Sequence, residues 1–148
     1  MKCFALALFA ALVVAPVVGS AQRLVPVSNV PRVEDKSPAL WGLGGYELIY
    51  FKISDSKYTP FERMELADAR TVEILSRVQA PPLRESDIRS EMRDGREIIT
   101  VRNYLLLELQ PKDAAADGKS MPDLAGHWVS TLRRVLPKVA PKPSLTGI

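Results

Sequence analysis

The chain has 148 residues, with 20 basic and 17 acidic side chains, 47% hydrophobic residues and a single cysteine. That length suits one ordinary domain. A charged share of 25% excludes wholesale disorder and collagen-like repetition, and a net charge of +3 is too small for a dedicated nucleic-acid binder.

Residues 1–21 carry a positive start at Lys2, an unbroken apolar run from Phe4 to Val14, Pro16, and the small residues Gly19-Ser20-Ala21. This is the tripartite pattern of a secretory signal, with cleavage expected near Ala21. The apolar run falls short of the roughly 17–25 residues that cross about 30 Å of hydrocarbon. Cys3 precedes the run, so it is not a lipoprotein cysteine, and cleavage removes it. The mature chain then has no disulfide, thiol nucleophile or thiolate metal site, and the expected location is the periplasm or the outside of the cell. Residues 22–40, with Pro26, Pro31 and Pro38, read as an extended lead-in, and residues 137–148, with Pro137, Pro141 and Pro143 among lysines, as a Pro/Lys-rich tail. One domain is expected over residues 41–136.

Trp41-Gly42-Leu43-Gly44-Gly45 opens that domain as a glycine-rich turn, followed by a strand over residues 46–53. Thr59, Pro60 and Glu62 form a helix start with a capping box. At 100° per residue the stripe Phe61, Met64, Ala67, Val72, Leu75 and Val78 faces the core, and Pro81-Pro82 ends the helix. Two strand-like runs, residues 88–92 and 97–101, flank Asp94-Gly95, a strong hairpin signal. Arg102-Asn103 gives a second tight turn into residues 104–109, a run apolar on both faces that reads as an inner strand. Asp113 to Gly118 reads as a polar connection. Ser120 caps a second helix that buries Leu124, Trp128, Leu132 and Val135 and ends at Pro137. The expected fold is α+β, in the order β-α-β-β-β-α, with a mostly antiparallel sheet of about four strands and both helices on one face.

Chemistry-bearing candidates are few. His127 is the sole histidine, and Asp123 stands four residues before it, the spacing of a carboxylate–imidazole pair on one helix. No HExxH or paired-histidine spacing accompanies it, so a surface ion pair is the expected role. Asp113 and Asp117 lack the alternating oxygen ligands of a calcium loop. Asp68 falls within the apolar stripe, where a carboxylate needs a partner or a raised pKa. Serines occur without a GxSxG turn, and the glycines at 42, 44 and 45 precede a strand, where a phosphate loop follows one. Arg133, Arg134, Lys138 and Lys142 bias the C-terminal end toward positive charge.

Gly45-Tyr46-Glu47-Leu48, the helix start Pro60-Phe61-Glu62-Arg63, Arg77, the hairpin and apolar strand, Asp113-Ala114 with Gly118, and Leu124-Ala125 with Trp128 form a series in this order. It resembles the extracytoplasmic N-terminal region ahead of the membrane domain in some bacterial proteins of the small-conductance mechanosensitive channel family. The resemblance spans about residues 42–136. Nothing after Leu136 is apolar enough to cross a membrane, so what it implies is an exported, noncatalytic module without the pore.

The leading expectation is an exported interaction or adaptor domain of the bacterial cell envelope, with a protein partner and with an exposed sheet edge or the Trp41 region as contact surface. No cofactor, metal or nucleic acid is expected, and membrane contact only at the periphery. One alternative is a small-ligand or anionic-polymer binder using a pocket between sheet and helices or the basic tail. The other is a hydrolase built on Asp68.

Overall fold

The computed structural model describes residues 36–78 and 80–142. The signal-like segment 1–21, most of the lead-in and residues 143–148 lie outside them. The architecture is α+β: two antiparallel sheets, one of two strands and one of three, with three α-helices.

The first sheet is a hairpin of β1, Ala39–Leu43, and β2, Tyr46–Phe51. Gly44 and Gly45 form its two-residue turn with φ of 59° and 83°, the left-handed values that favour glycine. The glycines expected to lead into one strand therefore join two. Leu40, assigned to the lead-in, is part of β1, and the domain begins earlier than residue 41. Residues 52 and 53, expected as strand, fall after β2 ends at Phe51.

The first helix, α1, spans Pro60–Arg77, and its capping box is formed: the Thr59 hydroxyl accepts the Glu62 N–H while the Glu62 carboxylate accepts the Thr59 N–H. Its buried face differs from the expected stripe. Pro60, Arg63, Ala67, Thr71, Ile74 and Leu75 point inward, whereas Phe61 and Val72 are exposed. The helix is turned by about 60° relative to a purely apolar reading. Two polar side chains hold inward places because each has partners there. Thr71 Oγ1 donates to the Ala67 carbonyl one turn back at 2.8 Å, and Arg63 enters a buried ion pair with Asp113.

A 3₁₀ turn at Glu85–Asp87 leads into the second sheet, formed by β3, Ile88–Arg93, β4, Arg96–Val101, and β5, Tyr104–Glu108, in that spatial order. Asp94-Gly95 and Arg102-Asn103 make the expected tight turns, all four residues at positive φ. Arg102 is held in this costly conformation by its own guanidinium, which bonds the Asp87 carboxylate and the carbonyls of Val78, Pro81 and Pro82. The expected inner strand β5 is an outer strand of its sheet; Leu106 and Leu107, on opposite faces, are nevertheless both buried.

The expected polar connection after β5 contains a short helix, α2, Pro111–Asp117, closed by Gly118 in the left-handed conformation. The last helix, α3, spans Met121–Val139 from the Ser120 cap. Pro137 does not stop it. The ring costs one main-chain bond near the helix end, and Val139 continues onto the core beside the β1–β2 turn.

A single four-stranded sheet with both helices on one face is thus replaced by two sheets linked through the helices. α1 packs on β1, β2 and β5, while α3 packs on β2, β3 and β4. One continuous core results. Phe51 of β2 sits at the junction, edge-on to Trp128 of α3 at 5.8 Å and beneath the Arg63 guanidinium of α1 at 4.9 Å. None of the described helices is long and apolar enough to cross a membrane.

Candidate functional site

The four residues singled out by sequence do not assemble. Trp41 is 1% exposed, facing the core opposite Ile49, so its own side chain is not presented at the surface. Asp68 is exposed, since the rotation of α1 carries it off the buried face; the reading of a buried carboxylate needing a partner is overturned. Asp123 and His127 are both exposed on α3. The Asp123 carboxylate accepts the Ser120 hydroxyl at the helix start, and no bond joins it to His127 among the described residues. Among the described residues no group of three or more His, Cys, Asp or Glu side chains could hold a metal ion.

Two hollows remain. The first is a cleft of about 320 Å³ between α1 and β5, with Phe51, Ala67 and Leu106 among its apolar lining. Its polar groups are largely committed to one another. Arg63 forms a bidentate pair with Asp113, both bonds 2.7 Å, and donates to the Ile53 carbonyl. Arg70 donates to the Leu106 carbonyl, and Arg96 faces Glu108. Asp55 accepts the N–H groups of Lys57 and Tyr58 and lies 3.7 Å from Arg63. Donors already spent on internal acceptors hold the loop after β2, α1 and α2 together. The buried Arg63–Asp113 pair escaped the sequence reading because charged residues seldom occupy core positions; the only available signal was the spacing of Arg63 in phase with Ala67, Ile74 and Val78.

The second hollow is an open groove of about 580 Å³ between α3 and β3, and it has the opposite character. Along α3 it follows Gly126, Ser130, Arg133, Arg134 and Lys138, a stripe at i, i+4, i+7, i+8 and i+12 that runs about 18 Å. Arg89 and Ser90 of β3 and Glu85 complete it. Four cations therefore face one carboxylate. None of the four is in an ion pair among the described residues; only Arg133 is partly engaged, its Nε–H donating to the Ile88 carbonyl at 2.9 Å.

Basic residues at the end of a helix complement the macrodipole, which accounts for Lys138 in the last turn. It does not account for Arg89, which comes from a different element. Cations gathered from two elements in excess over their counter-charges form a region of positive potential that attracts anionic groups. The sequence reading found the α3 half of this groove as a C-terminal basic bias; the β3 half is set by tertiary packing and leaves no mark in the local pattern.

The arrangement is that of an α+β domain with a groove in which cations outnumber carboxylates four to one. The chain belongs to the family described as Domain of unknown function (DUF8459), which matches residues 40–138. That match runs from β1 nearly to the end of α3 and includes every groove residue. No curated protein and no solved structure matches the chain.

Proposed function

We propose that this chain is a noncatalytic binding domain of the bacterial cell envelope, and that the groove between α3 and β3 receives an anionic partner. The supporting observation is the charge imbalance: Arg89, Arg133, Arg134 and Lys138 face Glu85 alone. Export rests on the signal pattern of residues 1–21, and the resemblance to an extracytoplasmic module agrees with it.

Labelled polyacrylate, a carboxylate polymer without amide groups, tests the groove by fluorescence anisotropy. Affinity is expected to fall steadily as salt rises from low to physiological concentration. The double variant Arg134→Glu with Lys138→Glu, both exposed positions, is expected to weaken binding at least about tenfold at low salt. Binding that ignores both salt and the charge reversals would contradict the proposal.

A further inference from the structure

We infer that the outer edge of β3 extends the groove into a docking site for an extended acidic peptide segment of a partner protein, which adds as a further strand beside Ser90–Met92. The inference rests on the reading of the groove as the anionic-partner site.

β3 is the terminal strand of its sheet and is paired only with β4. The Asp87 carbonyl accepts the Arg102 N–H on the β4 side, whereas the Ile88 carbonyl accepts Arg133 Nε–H from α3 on the other. Main-chain groups alternate sides along an antiparallel strand. Ser90 and Met92 therefore present N–H and C=O groups away from β4, on the same side as Ile88. Among the described residues, none of these four groups has a hydrogen-bond partner. Ser90 is half-buried and lines the groove, while Met92 is 64% exposed.

Unspent main-chain donors and acceptors in strand geometry match another peptide main chain, the mode of recognition by strand addition. A polysaccharide or lipid headgroup has no main-chain amides at strand spacing to use them. The flanking charge selects the sequence of the incoming strand. Arg89 and the α3 cations repel basic segments and attract acidic ones, so the charges that guard an edge against indiscriminate pairing here favour one class of partner.

The test uses the purified full chain and a fluorescein-labelled peptide, Glu-Val-Glu-Val-Glu-Val, compared with the same peptide N-methylated at every residue. The variant Met92→Pro removes one outward N–H at an exposed edge position where proline is tolerated. Native peptide is expected to bind, and both N-methylation and Met92→Pro to weaken it about tenfold, while polyacrylate binding to Met92→Pro, a position outside the groove lining, stays unchanged. Equal binding of the methylated and unmethylated peptides overturns strand addition and leaves the groove reading standing. Loss of polyacrylate and peptide binding alike in the native chain overturns both. Should Met92→Pro fail to fold by circular dichroism, the methylated-peptide comparison on the native chain decides alone.

Discussion

Arg63 and Asp113 show how one pair of side chains can fix the placement of several segments. Each is about 5% exposed, and their two parallel bonds join α1 to α2. Asp113 also accepts the Gln110 N–H, so the same carboxylate caps α2. Removing one partner strands the other charge in the core. Arg63→Ala is expected to destabilise the chain by about 3–5 kcal/mol in urea unfolding, and replacing both residues with apolar ones to recover much of that loss. A cost near zero for Arg63→Ala would mean that the pair is not buried as described. Two half-buried carboxylates contribute to stability on the acid side. Asp87 is held below the ordinary 3.8 by the Arg84 N–H and then by Arg102, against the opposing effect of burial. Asp117 is lowered by its bond from Lys52, at 2.7 Å, and then by Lys119, again against burial. Because both folded values lie below the unfolded one, their stabilisation is complete above 3.8 and disappears as pH falls through the folded values. Thermal unfolding is thus expected to show an acid-side decline that is shallower in Asp87→Asn and Asp117→Asn than in the native chain. Equal declines would remove these two groups from the account.

Among the elements, the turn between β1 and β2 makes a sharp prediction. Gly44 and Gly45 both have positive φ, so alanine is strained at either. They differ in what a methyl group would meet. At Gly44 it would lie 2.8 Å from Val139 Cγ1, whereas at Gly45 nothing lies within 4 Å. Gly44→Ala is expected to lower the melting temperature more than Gly45→Ala, and Val139→Ala to narrow that difference. Equal effects would show that α3 does not reach the turn. Thr59→Ala, which removes the α1 cap, is expected to cost about 1 kcal/mol in the same measurement. These elements also mark what the sequence made legible. Caps and turns are local chemistry, and Thr59 with Glu62, Asp94-Gly95, Arg102-Asn103 and Ser120 all stand as read. The side of α1 that faces inward is not local: Arg63 and Thr71 are admitted by an aspartate 50 residues away and by a carbonyl in the preceding turn, and polarity alone assigns them outward. β1 was hidden for a similar reason. Its five residues include Gly42 and follow Pro38, and their strand character depends on pairing with β2.

For the molecule as a whole, the decisive contrast lies between the two hollows. The cleft beside α1 spends most of its charge internally, and the groove beside α3 does not. Trp41, Asp68, Asp123 and His127 stand out in the sequence, yet Trp41 is buried and the other three are exposed without forming a bonded cluster among the described residues. Arg133, Arg134 and Lys138 looked ordinary as the end of a basic helix, and Arg89 had no visible connection to them. Packing of α3 on β3 makes these four residues a surface. The most direct measurement is a ¹⁵N-resolved NMR titration of the purified chain with the acidic hexapeptide at low salt. The predicted result is a cluster of shifting amides at residues 89–92 of β3 and 126–138 of α3, reversed by physiological salt. Shifts concentrated instead around Arg70 and Arg96 in the α1 cleft, or an absence of shifts at saturating peptide, would contradict the assignment of the groove as the binding site.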